Sequence, residues 1–250
     1  MILEDIYDHM GKWRSFVRKH DANIFDVMFK DVDYWLNEDE LNTIIIDVAS
    51  FFKLSLPEIN THCDVLAKLE INTIVDTQPE LFYNWQLLQK RGINNVDAFT
   101  LCMVHELAHL YFKGTRFLLC HSERWCHELA ADYIVGTYSA FKGISTGKYK
   151  YVIKQLQMTP THPKGEHRAD ALEFSRECVF KYSWNDLNLS LRGLPAFVYA
   201  KQKQLNDEFD QCVREIKDNL NTSPIPSQIS IEELPDDNLL KQAVLKYRNI

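Results

Sequence analysis

Apolar positions along this chain recur mostly three and four residues apart, the period of a helix packed on one side. Residues 41–54 place Leu41, Ile44, Ile45, Val48, Phe51 and Phe52 on such a stripe, with Pro57 as its stop. Asn94 or Asn95 can cap a helix from Val96 to about Phe112 that halts at Gly114, and Ser122 can cap a second that runs to about Phe141 before Gly143. Thr161-His162-Pro163 reads as the opening of a third helix towards Tyr182, because proline is tolerated in a first turn. A fourth is expected over residues 196–220, then a Ser/Pro-rich linker at 222–227. Residues 1–36 alternate short apolar groups with charges and read as mostly helical. Strand-like runs occur only at 59–63 and 69–75. The expected class is α+β, mainly helical, with a small antiparallel or mixed sheet and extra helices at both ends.

Composition narrows what such a fold can do. Gly and Pro number only 8 each among 250 residues, and aromatic residues make up 12%, so long disordered tracts are not expected. Lys and Arg total 28 against 35 for Asp and Glu, a net charge of −7, which supplies no broad basic face for nucleic acid. The greasiest stretch, residues 44–56, is broken by Asp47 and Lys53 and is too short for a membrane span. Met1-Ile2-Leu3-Glu4-Asp5 lacks the pattern of a secretory signal, and the six cysteines form no C-x-x-C pair. A cytoplasmic protein with reduced thiols, away from membranes, is the expectation.

The chemistry concentrates in His105-Glu106-Leu107-Ala108-His109. On a helix, positions i and i+4 face the same way about 6 Å apart, so both imidazoles can reach one zinc ion at ~2.0–2.1 Å. Glu106, one residue along, is turned too far to ligate but can take a proton from a water activated by the metal. Residue frequencies alone produce this pattern in only about two chains per hundred of this length. The competing reading is a pair of hydrogen-bonded core histidines, which would need three buried partners on an otherwise apolar helix.

A catalytic zinc site takes three protein ligands and keeps one position open. Downstream candidates are His121, Glu123, His127 and Glu128. Glu128 is preferred because Glu128-Leu129-Ala130-Ala131-Asp132 puts two carboxylates on one helical face. Glu128 can ligate, while Asp132 accepts the other ring N–H of a zinc histidine. His127 stays open as an alternative ligand. Cys120-His121 and Cys126-His127 fit none of the usual structural-zinc spacings.

H-E-x-x-H followed some twenty residues later by E-x-x-A-D resembles the gluzincin metallopeptidases. Within them it is closest to the branch of HtpX-type and CAAX-prenyl-type proteases and their soluble relatives, the minigluzincins. That branch carries a His-Pro followed five residues later by Arg, and this chain has His162-Pro163-Lys164-Gly165-Glu166-His167-Arg168. The resemblance implies a zincin-like two-helix site with one zinc ion, His162 above it stabilising an oxyanion, and Arg168 supporting the acidic residues around the ligands. It covers residues 105–168. A transmembrane helix and the Gly-x-Met-x-Asn strand of the aminopeptidases are both missing, so membrane substrates and N-terminal trimming are not expected. By the same resemblance, residues 69–77 would present a strand edge to an extended peptide.

The domain expectation is therefore a helical region at 1–56, a zincin-like catalytic core at 57–195 and a helical extension at 196–250. The leading functional expectation is a narrow-specificity zinc endopeptidase acting on a peptide or protein. The second is a catalytically latent, metal-stabilised module whose remaining residues form a platform for a regulatory partner or a plug over the cleft.

Overall fold

The computed structural model describes residues 36–61, 63–70, 78–113, 115–116 and 119–222. The expected helices before residue 36, the linker from 223 onward and residues 71–77 of the expected strand edge lie outside them. Of the described residues 66% are helical and 6% lie in strands, a mainly helical α+β arrangement with a small mixed sheet.

Helix α1 (Glu38–Phe52) begins at a reciprocal cap: the Asn37 side chain accepts from the Glu40 N–H, and the Glu40 carboxylate accepts from the Asn37 N–H. It starts three residues before the apolar stripe does, and it stops at Lys53 in a left-handed conformation (φ 56°), ahead of Pro57. Strands β1 (Glu58–Asn60), β2 (Ala67–Glu70) and β3 (Glu80–Tyr83) follow. The sheet order is β1-β3-β2, with β1 parallel and β2 antiparallel to the central β3. Only the two outer strands lie near the expected runs. The central strand, Glu-Leu-Phe-Tyr, is too short to show an alternation of its own, and its Leu81 and Tyr83 turn into the core.

Short α2 (Trp85–Lys90) leads to α3 (Val96–Tyr111), where the Asn95 side chain accepts from the Ala98 N–H at 2.8 Å. Residues 98–105 of α3 are buried without interruption, so this helix runs through the interior. Helix α4 (Glu123–Lys142) sits between the Ser122 cap and left-handed Gly143 (φ 75°), as its sequence boundaries predict. Helix α5 (Gly147–Lys154) is an addition to the expected set. Helix α6 (Gly165–Tyr182) starts later than Thr161-His162-Pro163 implied. Thr159 and His162 exchange two backbone hydrogen bonds, and that closed turn holds His162 outside the helix. Helices α7 (Leu187–Leu191) and α8 (Leu194–Thr222) complete the chain described.

Helix α4 packs against both α3 and α6, while α1 and α5 cover α3. One hydrophobic cluster runs from Leu36 to Phe209. The α4–α6 approach is close: a Cβ on Gly136 would sit 2.0 Å from the Leu172 carbonyl oxygen. A Cβ on Gly165 would likewise strike the Ile153 carbonyl, so glycine is what lets α6 begin against the end of α5.

The reading of six thiols needs correction. Cys120 and Cys126 are paired as a disulfide, because the turn at Ser122 brings their Cα atoms to 6.8 Å, the outer end of the span such a bond accepts. Cys63, Cys102, Cys178 and Cys212 are free. Among the described residues, no helix is long and apolar enough to cross a membrane.

Candidate metal centre

Two facing helices build the site. Successive turns of α3 supply His105 and His109, whose rings meet edge-on with centroids 4.9 Å apart. Glu128 comes from the second turn of α4 and is buried. The His105 Nε2 atom lies 3.2 Å from Glu128 Oε2 and 3.3 Å from His109 Nε2, and His109 Nε2 lies 3.6 Å from Glu128 Oε1. Two donors bound at ~2.0–2.1 Å to one tetrahedral ion stand about 3.3 Å apart, and the three observed separations bracket that value.

The protonation pattern points the same way. Asp132, fully buried one turn beyond Glu128, places Oδ1 3.0 Å from His105 Nδ1 and so takes that ring N–H. The Nε2 lone pair of neutral His105 is then left facing a carboxylate oxygen and a second imidazole nitrogen. With the His109 Nε2 lone pair also turned inward, the three groups repel one another at this range, and a cation between them relieves that repulsion. A proton is the smallest that serves. Burial alone would lower the His105 pKa, but the Asp132 carboxylate outweighs it and lifts it to about 10. His109 goes the other way, down to about 4, chiefly through burial. Burial would raise Glu128, yet the bond from His105 and the nearby His109 hold its carboxyl far below the usual carboxylate range. A metal ion is the other cation that fits, and His105, His109 and Glu128 can hold one.

Arg168, from the first turn of α6, is buried against Asp132. Its Nε donates to Oδ2 at 2.6 Å and its Nη2 to Oδ1 at 3.3 Å. Nη2 also stands 3.4 Å and 3.3 Å from the two His105 ring nitrogens, so nearly equidistant that it is not aimed at either of them. Desolvation of Asp132 is overcome by this guanidinium, and its carboxyl stays ionised. Glu128, Asp132 and Arg168 together carry one net negative charge around the imidazoles, which favours a divalent cation.

His162 lies beside the group. Its Nε2 is 3.4 Å from Glu128 Oε2, its Nδ1 is 2.8 Å from the Thr161 hydroxyl, and burial lowers its pKa. It is not a member of the set of donors within 4.8 Å of one another. Glu106 follows His105 on α3 and is half-buried. The other candidate ligands fall elsewhere: His127 pairs with Glu123 at 4.0 Å, and exposed His121 lies 3.8 Å from Asp210. Tyr111 packs on Phe52 and Phe112, and the Tyr133 hydroxyl donates to the Ser190 carbonyl, so both serve the core.

One contributor escaped the sequence reading. Tyr149, buried on α5, donates to Asp132 Oδ1 at 3.3 Å. Its only sequence signal was the i, i+3, i+4 stripe of Tyr149, Val152 and Ile153. Comparison with protein-family models, curated proteins and solved structures finds no match.

Proposed function

We propose that this protein is a gluzincin-like zinc peptidase, an endopeptidase of narrow specificity that acts on a peptide or protein. The supporting observation is the convergence of His105 Nε2, His109 Nε2 and a Glu128 oxygen at tetrahedral-ligand separations, with a proton acceptor, Glu106, on the helix that bears both imidazoles. Two imidazoles and one carboxylate form a donor set of the kind catalytic zinc takes, and a single zinc ion is the proposed cofactor. Bound there, zinc would supply Lewis-acid polarisation of a carbonyl and acidify water.

The chain's own groups divide the remaining work. Glu106 accepts the proton of the attacking water at its carboxylate and returns it to the leaving amine. Asp132 holds His105 in the tautomer that presents Nε2, and Arg168 keeps Asp132 ionised and aimed. His162, partly exposed beside Glu128 and joined to Thr161, would donate a hydrogen bond to the developing oxyanion, a contribution worth about 2.7–4 kcal/mol in comparable sites.

The test combines metal analysis of the purified chain with cleavage mapping on a proteome-derived peptide library. Wild type should carry about one equivalent of zinc and cut a restricted set of sequences. Glu106→Gln should keep the zinc and lose the cutting. A zinc-loaded wild type that cuts nothing across such a library would remove the peptidase and leave a metal-stabilised interaction module.

A further inference from the structure

We infer that Tyr149 is a positioning residue of the metal centre, acting through Asp132 to fix the orientation of His105; this rests on the zinc-site reading above. The case starts from what Asp132 must do. A buried carboxylate held from one side can still rotate, and each donor that reaches it from a new direction restricts that rotation. Asp132 Oδ2 is taken by Arg168 Nε, while Oδ1 receives His105 Nδ1, Arg168 Nη2 and the Tyr149 hydroxyl. Tyr149 thus supplies the fourth donor to this carboxylate and the third on Oδ1, reaching it from α5, a helix that carries none of the other three.

Helix α5 is anchored on both sides of this residue. Lys148 Nζ bonds Asn94 Oδ1 at 2.7 Å, just before α3, and Lys150 Nζ bonds Glu173 on α6 at 2.5 Å. The Ser145 N–H adds a bond to Asp97 on α3. The side chain between these ties has no freedom to leave, since its ring is buried in the core cluster. Tyr149 therefore connects the segment after α4 to the carboxylate that orients the first imidazole, without touching a metal ligand itself.

Phe at this position deletes the hydroxyl and keeps the ring. Zinc affinity, measured by competition with a chromogenic chelator, should weaken about tenfold in Tyr149→Phe, the gentle end of what partners behind a ligand contribute. The cobalt-substituted protein should show a shifted d–d band, a readout that loose packing elsewhere would not move. The decisive measurement is a double-mutant cycle with Asp132→Asn. If Tyr149 acts through Asp132, the double variant binds zinc no more weakly than Asp132→Asn alone. Additive losses would overturn the inference, as would wild-type affinity together with an unshifted cobalt spectrum in Tyr149→Phe. Should Tyr149→Phe fold poorly, Tyr149→His restores a donor and should recover affinity; failure to do so counts against the role. A wild type that binds no zinc would bring down the metal centre itself, a result distinct from a zinc-binding wild type that Tyr149→Phe leaves unaltered.

Discussion

The close approach of α4 to α6 gives the most demanding prediction, because two known effects oppose each other at one residue. Replacing Gly136 by Ala in the middle of α4 should raise helix propensity by about 1 kcal/mol. The added Cβ, however, would fall 2.0 Å from the Leu172 carbonyl oxygen and 2.1 Å from Ser175 Oγ. The serine can rotate away, but the carbonyl belongs to the backbone of α6. Real contacts of this kind essentially never fall below 3.0 Å, so the two helices must part by about 1 Å at this level. Overpacking of that sort costs about 1–3 kcal/mol and occasionally more. Asp132 lies one turn before Gly136 and Arg168 one turn before Leu172, so the same displacement stretches the 2.6 Å Arg168–Asp132 bond. Because the clash is with backbone, the cost falls in the upper part of that range, and Gly136→Ala should lose about 1–2 kcal/mol net, a fall in Tm of about 2–8 °C. Its zinc affinity should drop about tenfold. Urea denaturation of the metal-free chain and chelator competition measure the two effects separately. A variant at least as stable as wild type would mean that propensity wins and that the helices are not in the contact described.

Other consequences are open to direct measurement. With His105 lifted to about 10 and His109 lowered to about 4 in the metal-free chain, only His105 is a charged imidazolium at pH 7. Zinc uptake should then release one proton, and affinity should rise about tenfold per pH unit between roughly pH 5 and 9. Calorimetry in buffers of different ionisation enthalpy counts that proton, and a count of zero or two would contradict the assignment. Stripping zinc with a chelator should lower Tm: free zinc at about 100 times Kd adds about 2.7 kcal/mol of stability, and equal melting with and without metal would be the contrary result. Ser122→Ala removes the acceptor for the Trp125 N–H at the start of α4 and should cost about 1 kcal/mol in denaturant melts while leaving zinc affinity intact.

What could be foreseen from the residue order divides along physical lines. The paired imidazoles were legible because an i, i+4 relation within one helix is local. The bounds of α4 were legible because Ser122 and Gly143 make local bonds and turns. Glu128 was preferred over His127 on helical facing; in the structure Glu128 stands against both imidazoles, while His127 lies beside Glu123. The start of α6 was misjudged because the bonds that exclude His162 come from Thr159, a turn that proline statistics do not see. Strand β3 was missed because its four residues become a strand through partners on both sides, one of them reached across residues 58–80. Tyr149 was missed for a related reason: its burial is a product of how α5 docks, and nothing within eight residues of helix announces a carboxylate waiting opposite.

The distribution of the site over three helices has a consequence for the order in which it comes into being. Arg168 follows His105 by 63 residues, so during synthesis both imidazoles and Glu128 leave the ribosome well before the arginine does. Until α6 docks, Asp132 has no cation to hold it, and His105 turns freely. On the reading proposed, an ion met early would find all its ligands but none of their alignment, so firm loading would wait until α6 has emerged and docked. A truncated product ending before α6 would carry every ligand and still compete poorly for the ion.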